Sequence, residues 1–169
     1  MTEQRRQNLR RLLRPRHVAV VGGSDVATVI NECRRIGYSG ALWPVNPKRE
    51  DIAGIPCFAD IEALPEAPDA TFLAVPQQAA IDITARLARR GAGGVVCYTA
   101  GFSELGSAGQ QAEAELVDAA GGMALLGPNC YGLINYHEQI ALWPFAHGGT
   151  HPGFGAAIIT QSGMLSSDL

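Results

Sequence analysis

The chain has 169 residues, of which 47% are hydrophobic and 17% charged, with a formal net charge of −3. That length and balance fit a globular domain, or one domain and a piece of another, with ample material for a core. The charge gives no general drive toward nucleic acid or an anionic membrane, and no stretch approaches the roughly 20 apolar residues of a membrane helix.

Six of the thirteen basic residues fall in the first sixteen positions. In "RRQNLRRLLRPR", Leu9, Leu12 and Leu13 at helical spacing predict a short amphipathic helix, solvated and docked beside the first strand. No leader-like apolar stretch follows it. "HVAVVGG" (17–23) is a continuous apolar run ended by glycines, the pattern of a strand covered on both faces. A helix follows to Ile36 and stops at Gly37, and "GALWPV" (40–45) is a second strand. Residues 51–68 read as irregular, with a turn at Gly54-Ile55-Pro56 and one helical turn near Asp60–Leu64.

"DATFLAV" (69–75) is strand three, 77–90 a helix closed by Gly91, and "GGVVCYTAG" (93–101) strand four. Residues 107–122 form a helix with a glycine stop, and "MALLGPN" (123–129) is strand five. Beyond Cys130 the pattern becomes a return loop with one short strand around Ile140–Pro144. "FGAAIITQSGMLSSDL" (154–169) reads as a strand and a helix start, the beginning of a second unit. Strands alternating with helices at this spacing predict an α/β fold with a doubly wound parallel sheet.

One lysine stands among twelve arginines: Lys48, in "LWPVNPKRE" (42–50), just beyond strand two. Pro44 and Pro47 fix φ and hold their predecessors extended, so this turn is stiff. In an open parallel sheet, ligands bind beyond the carboxyl ends of the strands. Those ends are Gly22-Gly23-Ser24, Asn46-Pro47-Lys48, Val75-Pro76-Gln77, Tyr98-Thr99-Ala100-Gly101 and Gly127-Pro128-Asn129-Cys130. The glycine turn after strand one brings backbone N–H groups and a helix start toward an anion. Dinucleotide sites for NAD usually place an acid near the end of strand two, whereas this chain has Asn46 and Lys48. A phosphorylated ribose suits that pair, which leaves NADP and coenzyme A.

The ordered set "RPRHVAVVGGSD", "PVNPKREDIAGIPCFADIEALPEAPD", "AVPQQA", "YTAGFSE", "LLGPNCYGLIN" and "ITQSGML" spans nearly the whole chain. It resembles the CoA-binding domain of NDP-forming (ADP-forming) acyl-CoA synthetases, relatives of the succinyl-CoA synthetase α subunit. The resemblance implies a Rossmann-like CoA-binding domain over residues 1–150 and the truncated start of a flavodoxin-like second domain over 151–169. It implies that Gly22, Ser24 and Lys48 hold CoA phosphates, and that Asn46, Pro47, Val75 and Pro76 frame the adenine and ribose. Thr99, Ala100 and Gly101 would flank the pantetheine arm, with Asn129 and Cys130 near the thiol. Ser162-Gly163 would open the second domain's helix.

The activity implied is acid–CoA ligation, from acid, CoA and ATP to acyl-CoA, ADP and phosphate. The phosphohistidine and the ATP-grasp module lie in other parts of such enzymes, so this chain is expected to bind CoA and acyl-CoA without turnover. Two departures are visible: Val26-Ala27-Thr28-Val29 follows the glycine turn where the family has further glycines, and Ala100 stands where succinyl-CoA relatives carry a glutamate. The alternatives are a stand-alone CoA-binding module and an NADP-dependent oxidoreductase domain.

The remaining single residues have plainer readings. Asp25 is expected to cap a helix. Cys130 reads as a small packed residue, because no histidine–acid pair is evident to activate it. His147 and His151 sit on a glycine-rich loop without the i, i+4 spacing of a metal-binding helix, so no metal site is expected. Ser162 reads as a cap or phosphate contact, not a hydrolase serine. The four cysteines show no paired spacing and read as reduced thiols of a cytoplasmic protein, possible self-association aside.

Overall fold

The computed structural model describes residues 1–151 and 153–161. Its centre is a five-stranded parallel sheet in the order β2-β1-β5-β6-β7. The strands are β1 (His17–Gly22), β2 (Ala41–Val45), β5 (Ala70–Ala74), β6 (Gly94–Cys97) and β7 (Ala124–Leu126). The other strands among the described residues form two short antiparallel hairpins, β3 (Asp51–Ile52) with β4 (Ile55–Pro56) and β8 (Leu133–Asn135) with β9 (Ile140–Leu142). The helices are α1 (Glu3–Leu13), α2 (Val26–Arg35), α3 (Gln77–Arg90) and α4 (Ser107–Ala120).

Alternation along the strands divides the core between two faces. Ala19, Val21, Leu73, Val95 and Cys97 pack with Ile81, Leu87 and Leu116 of α3 and α4. Val18, Val20, Phe72 and Val96 pack on the opposite side with Val26, Val29, Ile30 and Cys33 of α2 and with Ile140 and Leu142 of β9. Because both sides are covered, β1 is buried along its whole length, which is why its sequence reads as an unbroken apolar run. Helix α3 closes as expected: Gly91 takes φ 80°, and its N–H bonds the carbonyls of Leu87 and Ala88.

Three local expectations are revised. The segment 51–56 is a hairpin and not irregular chain, because Ala53 and Gly54 both adopt positive φ and reverse it within two residues. The return segment holds two strands where one was expected, and β9 fills the α2 side of the core. Residues 155–160, expected to form a strand, join no sheet among the described residues, with Ile158 and Ile159 exposed. The helix start expected after Gln161, including Ser162-Gly163, lies outside the described residues.

Helix α1 is docked, but mainly against β5, β6 and β7 and not beside β1. Leu12 is buried, whereas Leu9 and Leu13 stay half-exposed. Two of its neighbouring arginines are bound, not merely solvated. Arg11 Nε donates to Asp69 Oδ1 at 2.6 Å and Arg16 Nε to Asp69 Oδ2 at 2.8 Å. The Asp69 carboxylate is 1% exposed and also accepts the Arg16 backbone N–H at 3.1 Å.

The outer edge of the sheet, β2, is closed by the chain that follows it. Phe58 N–H donates to Pro44 O, and Asn46 N–H donates to Phe58 O, both at 2.9 Å. Pro44 has no N–H to offer.

The glycine-rich loop after β9 is tied down, not free. Glu32 of α2 is buried and lies 2.7 Å from Arg35 Nε and 3.3 Å from His147 Nε2. Arg35 Nη1 donates to Gly149 O at 3.0 Å. Burial first, then the Arg35 charge, lowers the His147 pKa against the opposing pull of Glu32. His151 instead packs edge-on against His137, and no metal-holding group of side chains occurs among the described residues. Glu32→Ala is expected to release residues 147–149. Their amide exchange should rise roughly tenfold or more while the β1 and β5 amides stay protected; unchanged exchange would show that other contacts hold the loop.

Candidate functional site

The parallel strands all end on one rim, and the local sequence shapes each exit. At the end of β1, a Cβ added to Gly22 would stand 2.6 Å from Ala74 O, so the close approach of β1 to β5 requires glycine. Gly23 has open space around it. At the end of β2, Asn46 joins two exits: its Nδ2 donates to Gly22 O at 2.7 Å, and its Oδ1 accepts the Lys48 N–H at 2.8 Å. The Lys48 turn is therefore fastened to the glycine turn, with the Lys48 side chain exposed. Asp25 does not cap α2: it is αR and its carboxylate takes no capping bond, accepting instead from Ser24 Oγ at 3.3 Å.

The remaining exits are cross-linked through Thr99. Its Oγ1 donates to Val75 O at 2.7 Å, and its carbonyl accepts the Asn129 N–H at 2.9 Å. Asn129 has φ 51°, a conformation asparagine tolerates better than most side chains. Gln77 Nε2 donates to Gly101 O, and Glu104 Oε1 accepts the Gly101 N–H at 2.6 Å. Backbone N–H donors, that of Gly101 foremost, hold the Glu104 carboxyl below its ordinary range.

These exits enclose a cleft of about 450 Å³. Of the residues singled out in the sequence, Val75, Pro76, Thr99, Ala100 and Asn129 line it. Gly22, Ser24, Asn46, Pro47 and Lys48 form the adjoining part of the rim on β1 and β2, and Gly101 lies one step beyond Ala100. Cys130 does not line the cleft. Burial pushes its thiol pKa up, against a hydrogen bond from Gly132, and burial does the same at Cys33, Cys57 and Cys97. Protonated thiols are poor nucleophiles, in keeping with a packing role.

Tyr98, named among the strand ends, lines the cleft too, as do Asp25, Ala74 and Tyr131, which were not singled out as its walls. Tyr131 directly follows Cys130, which was singled out, so strand-end position was the available signal. Burial raises the Tyr98 pKa, with Asp25 and Tyr131 adding to it. A second cavity of about 280 Å³ lies at the opposite ends of β1 and β2, lined by Arg14, Arg16, Tyr38 and Glu138 among others. Its cations are already engaged, Arg14 with Glu138 and Arg16 with Asp69. The first cleft is the one placed where open α/β sheets take ligands.

Comparison with known proteins shows the family of the domain. The family described as "CoA binding domain" matches residues 16–136. A trans-feruloyl-CoA synthase from an unknown prokaryotic organism is 40% identical over 96% of this chain and 24% of its own length. The acetate–CoA ligase [ADP-forming] II subunit alpha of Pyrococcus furiosus is 31% identical over 92% of this chain and 35% of its own. In structure, the apo form of a Ca. Korarchaeum cryptofilum dinucleotide forming acetyl-coenzyme A synthetase superposes with TM-score 0.74 at 27% identity, covering 80% of this chain and 31% of that one. The chain thus spans about a quarter to a third of the length of these relatives.

Proposed function

The chain belongs to the CoA binding domain family, and on that footing we propose that the strand-end rim is the CoA site of an ADP-forming acid–CoA ligase. The observation that carries the reading is the joining of the exposed Lys48 turn to the glycine turn by Asn46, beside a 450 Å³ cleft. In this reading Gly22, Ser24 and Lys48 contact phosphate, and Asn46, Pro47, Val75 and Pro76 surround the nucleoside. Thr99, Ala100 and Gly101 border the pantetheine arm, and Asn129 and Cys130 lie toward the thiol. The chemistry assigned to the whole protein is acyl-CoA formation from acid, CoA and ATP, with an ATP-grasp domain or subunit as partner. Named relatives include subunit alpha proteins, which supports a partner chain. The acyl group differs among relatives, feruloyl in one name and acetate in others.

The same proposal takes residues 1–150 as the CoA-binding domain and 151–169 as part of a second unit. Its support is that, among the described residues, the last sheet element ends at Leu142 and the loop at 147–149 is fastened back onto α2. The proposal also takes the setting to be cytoplasmic, supported by four free thiols; among the described residues no helix is long and apolar enough to cross a membrane.

Calorimetric titration tests the site. CoA should bind, dephospho-CoA should bind more weakly, and NADPH should give little heat. Tight NADPH binding with no response to CoA would overturn the reading.

A further inference from the structure

An aromatic cluster continues from the wall of the cleft. Tyr98 and Tyr131 both line it, with ring centroids 6.4 Å apart. Behind Tyr131 stand Trp143 at 5.6 Å and Phe145 at 5.0 Å, each meeting its ring nearly edge-on, at 86° and 84°. Trp143 and Phe145 also meet each other at 6.2 Å. None of these four rings is fully buried, and Phe145 is 41% exposed. Tyr98 packs on the core and stacks against Phe72 at 5.9 Å, whereas Tyr131, Trp143 and Phe145 stand outside both core clusters.

Its position on the chain is equally specific. Tyr131 follows Asn129 and Cys130, the residues assigned above to the thiol end, so any group carried on that thiol emerges beside the cluster. Trp143 and Phe145 are delivered by the chain leaving β9, which is itself fixed by Ile140 and Leu142 in the core. Aromatic pairs in offset-stacked or edge-to-face arrangement gain more than their buried area alone provides, so a planar aromatic group has an advantage here that an aliphatic one of similar area lacks.

We propose that Tyr131, Trp143 and Phe145 form the acyl subsite of this chain and that it selects planar aromatic acyl groups over small or aliphatic ones. The inference rests on the CoA reading of the cleft and adds the acid class to it. Tyr98 is the ring where the CoA wall and the acyl subsite meet.

The test compares the protein's affinities for benzoyl-CoA, hexanoyl-CoA, acetyl-CoA and CoA by calorimetry. Benzoyl-CoA should bind about ten- to thirtyfold tighter than acetyl-CoA, with hexanoyl-CoA gaining only a fewfold. Phe145→Ala and Trp143→Leu should each bring the benzoyl-to-acetyl ratio back to within about threefold of one. The ratio is the readout because it cancels any change common to all CoA compounds. A wild-type ratio near one with CoA still binding overturns the acyl subsite and leaves the CoA reading intact. Equal gains from benzoyl and hexanoyl groups overturn the aromatic selectivity, as does an unchanged ratio in both folded variants. Failure of CoA and all three thioesters to bind overturns the CoA reading itself, and the acyl subsite with it.

Discussion

Asp69→Ala is expected to destabilise the fold by about 3 kcal/mol, because it strips two guanidinium groups of a common buried carboxylate. Removing one member of a buried ion pair costs about 3–5 kcal/mol, and the low end applies here because the Arg16 side chain is 72% exposed and regains water. For a chain of this size that corresponds to a fall of roughly 6–12 °C in the thermal midpoint. The pH dependence supplies a second readout. Burial alone would raise the Asp69 pKa, but the hydrogen bonds from Arg16 and Arg11 outweigh it and hold the carboxyl well below the usual range. A carboxyl depressed by folding contributes fully above its unfolded value of about 4 and loses that contribution as pH falls toward the folded value. Denaturant unfolding at pH 7 should therefore show the full gap between wild type and variant, and the gap should narrow steadily below about pH 4. A gap under 1 kcal/mol at pH 7, or one constant down to pH 2, would mean that α1 is held by its apolar contacts and not by this clamp.

Lys48→Ala is expected to weaken CoA binding roughly ten- to a hundredfold, the value of a charge-assisted contact of about 1.5–3 kcal/mol. Thermal stability should stay within about 0.5 kcal/mol, since the side chain is exposed and its turn is held through the Lys48 backbone N–H. Arg49→Ala, at the exposed next position, is the control and should change little. Dephospho-CoA identifies the phosphate. If removing the ribose phosphate weakens binding to the wild type but not to Lys48→Ala, that phosphate is the partner; equal losses in both point to the pyrophosphate. Unchanged CoA affinity in a folded Lys48→Ala protein would remove Lys48 from the site.

The sheet was legible in the sequence because each central strand is covered on both faces and so reads as an apolar run: "HVAVVG" and "ATFLA" needed no partner information. What periodicity could not supply was chemistry between distant positions. Arg11 and Arg16 each lie more than 50 residues from Asp69, and only the fold shows that these N-terminal arginines are structural ligands. The β8–β9 hairpin was half-seen for a similar reason: its strands are three residues each, too short for alternation to declare itself. At the candidate site, five of the named residues converge on the cleft because strand ends are readable from where apolar runs stop. Tyr131 was passed over because it lies one residue past the last named strand end and its ring neighbours, Trp143 and Phe145, are distant in sequence.

The closure of β2 has a consequence for how the molecule behaves when crowded. A bare edge strand is a template on which other chains can build, and that is a common route to aggregation. Here the stretch from Pro44 to Asn46 offers a proline with no donor, a carbonyl already taken by Phe58, and an amide already given to it. An incoming strand would find no run of free partners there and would have to break existing bonds to make new ones. The protein should accordingly remain dispersed at high concentration as far as this edge is concerned, and substitutions that detach Phe58 should be the ones that make it precipitate.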